Sequence, residues 1–174
     1  MPVELTAVIT ATTKWLLNAY PPVGGPLSAA LAEAQARQAV TVAAWLRYPT
    51  SVDAGLVTLL GPGGSQRLDL LVDADAAAPD SADHAWRSWV DEVVASWAAC
   101  LLAEPALARA AAAAAAGSEH GSATPVEFGR LTAPGERDRL AAPLLRHPDL
   151  LSRIAVLHRA ELMERLGTGP PDPA

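Results

Sequence analysis

The chain has almost no cysteine, lysine or phenylalanine, and little charge. Of its 174 residues one is a cysteine, Cys100, one is a lysine, Lys14, and 18% are Asp, Glu, Lys or Arg. A single cysteine excludes an internal disulfide. Without a basic stripe the chain lacks the electrostatic footprint that binding to a phosphate backbone requires. We therefore expect no nucleic acid among its partners.

Long hydrophobic runs are also missing. The longest apolar stretches, residues 93–103 and 105–116, are shorter than the roughly 20 residues that a bilayer-spanning helix needs. The first residues carry no basic segment, and Thr10, Thr12, Thr13 and Lys14 interrupt the apolar run that follows, which is not typical of a signal peptide. We expect a bacterial, cytoplasmic protein that does not bind membranes.

Apolar residues, in contrast, make up 51% of the chain. With so few charges to cover the surface, this composition predicts that some apolar surface meets a partner. The alternative is that the excess is alanine, which exposes little apolar area per residue, and the composition leaves both possibilities open. The net charge of −6 comes from residues 69–92, where six Asp and one Glu face the single base Arg87.

The fold predicted from these patterns is α+β, mainly helical, with a small three-stranded antiparallel sheet covered by helices. Residues 40–48 alternate with a period of two, and 54–60 and 67–72 follow as apolar runs separated by the turn 61–65. The alternative is an all-α bundle, with one helix over 29–46 and a second, capped by Ser51, that ends at Leu60.

The clearest helical signal covers residues 80–104. Apolar side chains recur there at spacings of three and four, and polar ones occupy the opposite face. Asp80 or Ser81 can cap its start, and Pro105 prevents its continuation. Because its first turns are polar and its last turns apolar, we expect Trp97 to be buried and Trp86 to lie nearer a surface. A further helix is predicted over residues 3–19.

The C-terminal third predicts a helical extension. Residues 118–123 are rich in Gly and Ser and are typical of a linker. We therefore expect an α+β body over residues 1–117, a linker over 118–123, a helical extension over 124–167 and a disordered tail over 168–174. The extension is expected to attach to a partner and to be dispensable for folding of the body.

Asp73, Asp75 and His84, in the acidic loop that also contains Asp80 and Asp83, are weak candidate metal ligands. The acidic loop fails the calcium-loop template because Ala77, Ala78 and His84 stand where a ligand, a glycine and a bidentate acid belong. We expect a solvated acidic loop and no bound metal.

No other pattern indicates chemistry. The glycine-rich turn 61–65 lacks the lysine of a phosphate loop. Cys100 has no neighbouring base that would lower its pKa. His158 and Glu161 could belong to a carboxylate-bridged metal site only with a second acid-rich helix of matching spacing, which the sequence lacks. We therefore expect no catalytic residues and no cofactor.

Two classes of function remain open. The favoured one is a non-enzymatic adaptor that docks another protein, or itself, in a multi-protein assembly. The other is a small enzyme or ligand-binding domain with a site near the acidic loop, residues 73–84. Partner-binding candidates are the tryptophans that start the 80–104 helix and the stripe of the last helix. They are Trp86, Trp89, Leu150, Ile154, Leu157, His158 and Leu162.

Overall fold

The computed structural model describes residues 5–74, 82–123 and 126–168, and these residues are helical with no strand. Short loops with proline or glycine separate the helices. The helices are α1 Thr6–Ala19, α2 Pro26–Arg47, α3 Ser51–Leu60, α4 Gln66–Leu71, a 3-10 helix Ala82–Trp89, α5 Glu92–Ala103, α6 Pro105–Ala116, α7 Glu119–Ala123, α8 Gly129–Thr132, α9 Glu136–Ala141, α10 Pro143–Arg146, α11 Pro148–Ala155 and α12 Arg159–Arg165.

The predicted three-stranded sheet is wrong, and the alternative all-α bundle fits the structure. The expected strands lie in helices α2, α3 and α4. Every residue of 39–46 is buried, so that part of α2 has no polar face to reveal a helical period. The turns around Pro49 and 61–64 end helices as well as they would end strands. The cap of α3 is Thr50 rather than Ser51.

Helix α2 is the centre of the bundle, and α1, α5, α6 and α9 pack around it. Small side chains dominate its buried surface, which lets neighbouring helices approach closely. Its partner α5 is buried along nearly its whole length as well, including Cys100. The hydrophobic core therefore lies along these two helices. Its small members from α2 and α5 are Ala32, Ala36, Ala39, Ala43, Ala44, Ala95, Ala98 and Ala99.

The predicted 80–104 helix is divided in two. The first piece is the 3-10 helix Ala82–Trp89 and the second is α5. Helix α5 begins after Asp91, whose carboxylate accepts a hydrogen bond from the Val94 amide at 3.0 Å. An N-cap at this point fixes a new helix start. Trp97 is buried and Trp86 is half-buried, as the sequence indicates.

The C-terminal helices pack on the same core. Helix α11 lies against α5, and α9 lies against α2. Gln35 of α2 donates a hydrogen bond to the Asp138 carbonyl at 2.6 Å and accepts one from Arg146 at 3.0 Å. Buried polar side chains with satisfied partners of this kind fix how two segments fit together.

Residues 118–123, the predicted linker, contain helix α7. Its His120 is buried, with Nε2 2.7 Å from the Tyr48 carbonyl oxygen, and Glu119 accepts a hydrogen bond from the Ser51 amide at 2.8 Å. The division into a body and an extension stays untested, but the packing of α9 on α2 and of α11 on α5 leads us to expect that the body needs the C-terminal helices to fold.

A chain that ends at Gly117 gives this test. It would lack α11, whose Leu151 and Ile154 are fully buried, and would leave the apolar side chains of α5 that α11 covers in contact with water. Exposing a large apolar side chain costs about 1.5–3 kcal/mol. We expect this truncation to melt without a cooperative transition and to bind a hydrophobic dye, as measured by circular dichroism and dye fluorescence. A soluble, cooperatively melting truncation would instead establish the body as an independent domain.

Candidate functional site

The acidic loop is only partly described. Asp73 is exposed at the end of α4 with a φ of 53°, and His84 is half-buried in the 3-10 helix. Asp75 lies outside the described residues. Within the described ranges, no group of three or more His, Cys, Asp or Glu side chains could hold a metal ion.

The partner-binding candidates predicted from the sequence differ in their exposure. Ile154 and Leu162 are fully buried in the chain's own core. Leu150 is exposed, whereas Leu157 packs partly buried against the core. Trp86 and Trp89 are likewise half-buried, and the Lys14 ammonium lies 4.8 Å from the centre of the Trp86 ring.

His158 joins two helices through both of its ring nitrogens. Nδ1 lies 2.9 Å from a carboxylate oxygen of Glu161 in α12, and Nε2 lies 2.7 Å from one of Glu92 in α5. The backbone of His158 is also held, since its amide donates to the Ser96 hydroxyl at 3.0 Å and its carbonyl accepts from Trp97 at 2.9 Å. Both ring nitrogens are hydrogen-bonded to carboxylates, so the side chain of His158 links α12 to α5 and has no free ring nitrogen to act as a base. We call this arrangement the His158 clamp.

The two carboxylates make the charged form of His158 favourable. Burial lowers the pKa of His158, but the hydrogen bonds and charges of Glu161 and Glu92 outweigh it and raise the pKa above its usual value. Arg67 extends the cluster with a 3.2 Å contact to Glu92.

Cys100 is also unsuited to nucleophilic chemistry. Its thiol is buried and donates a weak hydrogen bond to the Ala155 carbonyl at 3.4 Å. Burial raises the pKa of Cys100, which disfavours the reactive thiolate.

Asp69 is the centre of a buried polar cluster in α4. Its carboxylate accepts hydrogen bonds from Trp15 at 2.8 Å and Ser65 at 2.7 Å. Arg87 lies 2.8 Å from the same carboxylate, as an ion pair without the angle of a directed hydrogen bond. The cluster fastens α4 and the 3-10 helix to α1.

A cavity of about 1010 Å³ opens beside this cluster. The end of α3, the turn 61–64, α4 and the 3-10 helix line it, with polar and apolar side chains mixed. Its charged and titratable walls are Asp69, His84 and Arg87, and its large apolar ones are Leu59, Leu60, Leu70 and Trp89.

Helix α3 exposes several large apolar side chains. A capping box of Thr50 and Asp53 starts this helix, and Gly61, with a φ of 76°, ends it. Only Ala54 and Val57 are buried in the chain's own core. The opposite side is nevertheless apolar, with Val52 69%, Leu56 52% and Leu59 79% exposed.

We define the α3 face as Val52, Gly55, Leu56 and Leu59. At about 100° per residue these four positions lie within roughly 100° of the helix circumference, centred opposite Ala54 and Val57. Leu60, 79% exposed, and Leu70 of α4, 80% exposed, continue the apolar surface at the cavity. Monomeric proteins seldom expose contiguous apolar patches larger than a few hundred Å², and larger ones mark interaction sites.

This face was not predicted from the sequence, because residues 54–60 were assigned to a strand. The signal is present, since Val52, Leu56 and Leu59 follow the i, i+4, i+7 spacing of a helix stripe. The same helix also buries Ala54 and Val57, so the spacing alone does not say which side faces the core.

No protein family, no curated protein and no solved structure matches this chain. No helix among the described residues is long and apolar enough to cross a bilayer.

The His158 clamp predicts a pH dependence of stability. Because folding raises the pKa of His158, its contribution to the free energy of unfolding is complete below about pH 6.5 and is lost as the pH rises through the folded-state pKa. We expect the stability difference between the wild type and His158→Gln, measured by urea unfolding from pH 5.5 to 9, to shrink with rising pH. His147→Gln, at an exposed histidine, is the matched control. A pH-independent difference would contradict the clamp.

Proposed function

We propose that this protein is a non-enzymatic docking module that binds another protein chain through the α3 face. The observation that carries the proposal is a helix that is apolar on the side turned away from its own core. Burying an exposed leucine or valine contributes about 1.5–3 kcal/mol, so burial of this face against a partner would favour binding.

The rest of the molecule supports a docking role over catalysis. The candidate nucleophile Cys100 is buried with a raised pKa, and both ring nitrogens of His158 are engaged with carboxylates. The low charged fraction, 18%, agrees with a chain that covers part of its surface with a partner. A bacterial, cytoplasmic setting and an adaptor role in an assembly belong to the same proposal.

A second candidate function is the binding of a small molecule in the cavity beside Asp69 and Arg87. The specific observation in its favour is the size of the cavity, about 1010 Å³, and its mixed polar and apolar walls, which resemble those of ligand sites. Leu70→Trp would fill part of this cavity without touching the α3 face. If that variant loses function while α3 variants keep it, the small-molecule role is favoured.

The docking proposal is tested with charges placed on the α3 face. We expect Leu56→Lys with Leu59→Lys to fold with a stability close to that of the wild type, because both side chains are exposed. The same variant should lose partner binding, since a buried unpaired charge is costly. Leu140→Lys with Val156→Lys, at exposed apolar positions outside α3, is the matched control.

Binding can be measured without knowing the partner in advance. A photo-crosslinking amino acid at position 60, beside the face, should form a covalent adduct in the cells that naturally produce the protein. Mass spectrometry then identifies the attached chain, and the Lys variants show whether the adduct depends on the face. Adducts that persist in the Leu56→Lys, Leu59→Lys variant, or that form equally from position 140, would overturn the proposal.

A further inference from the structure

Nothing in the described part of the chain requires a glycine at position 55 of the α3 face. Gly55 is exposed, and a Cβ atom built on it meets nothing within 4 Å. Its φ is not positive, so the backbone does not require glycine. A glycine inside a helix costs about 0.8–1 kcal/mol relative to alanine. Something outside the chain that approaches the backbone closely would explain why the position has no side chain.

A helix is the occupant that fits this surface. The small residue lies midway along the length of the stripe and at one edge of its arc, with Val52 three positions before it and Leu59 four positions after it. A second helix that crosses at Gly55 can approach closely there and pack its side chains between the larger ones on either side, as in ridges-into-grooves packing.

We propose that the occupant is α3 of a second copy of this chain, crossing antiparallel at Gly55 on a two-fold axis. This inference rests on the proposed docking function of the α3 face. In such an isologous contact Val52 of one copy faces Leu59 of the other, and the two Leu56 side chains meet beside the axis.

The charge of the face suits contact with itself. The four positions carry no charged group, and the only acid of α3, Asp53, is engaged with Thr50 in the helix cap. A two-fold contact therefore places no like charges opposite each other. The net charge of −6 on each copy still opposes association at long range, so added salt should strengthen the dimer.

The available area is that of a weak interface. The exposed parts of Val52, Leu56 and Leu59 amount to on the order of 350 Å² on each copy, or about 700 Å² in total, below the range of stable interfaces. This predicts a modest, concentration-dependent dimer rather than an obligate one.

The decisive variant is Gly55→Ala, because its two expected effects have opposite signs. In the dilute monomer the new methyl group lies in open space and favours the helix, so the melting temperature should rise. At the crossing point it separates the two backbones, so the dimer dissociation constant, measured by sedimentation equilibrium, should increase at least tenfold. Gly129→Ala, at a second glycine with open space around its Cβ, should leave the dissociation constant unchanged.

The orientation is tested by disulfide trapping, since the native Cys100 is buried. Oxidation of a mixture of Val52→Cys and Leu59→Cys chains should give the mixed disulfide in preference to either like pair. Preferred like pairs would overturn the antiparallel crossing.

Failure of this inference is distinguishable from failure of the docking function. A wild type that stays monomeric at several hundred micromolar, or a Gly55→Ala dimer as tight as the wild type, overturns the second-copy inference. If position 60 then crosslinks to a different protein in a way that depends on the α3 face, the docking function stands without self-association. Absence of any such adduct from a monomeric chain overturns both.

Discussion

Close packing of small side chains between α2 and α5 is the constraint on which the rest of the structure depends. Residues 39–46 of α2 and nearly all of α5 are buried, and both helices bury several alanines. Bulkier residues there would separate the helices that surround them. Buried alanines account for part of the high apolar content of the chain. Exposed apolar surface accounts for another part, because α3 exposes large side chains.

Buried polar side chains help to determine how the outer segments attach to this core. Gln35 is fully buried on α2 and bonds both the Asp138 carbonyl and Arg146, while Ser96 and Trp97 of α5 hold the backbone around His158. Each of these groups would cost free energy if it were buried without its partner. The attachment of the C-terminal helices therefore depends on specific hydrogen bonds as well as on buried leucines.

Helix α3 differs from the helices that turn their large apolar side chains to the core, and we therefore place the proposed docking surface on it. Leu101 and Leu102 of α5 and Leu151 and Ile154 of α11 face the core, but α3 buries only Ala54 and Val57 and turns its leucines outward. Its ends are well defined by the Thr50 cap and by Gly61, so its exposure does not come from a poorly formed helix. The cavity lies at the C-terminal end of this helix, where Leu59 and Leu60 line it.

The sequence by itself determined the features that depend on local chemistry. Helix α1, the start of α6 at Pro105, the lack of any membrane-spanning run and the burial of Trp97 all follow from spacing, proline and hydropathy. Only the tertiary structure decided whether 40–48 is strand or helix, because a segment buried on every side shows no helical period. It also decided which side of α3 is exposed. Ala54 and Val57 are no more apolar than Val52 and Leu59, so only the position of the remaining helices selects the side that is buried.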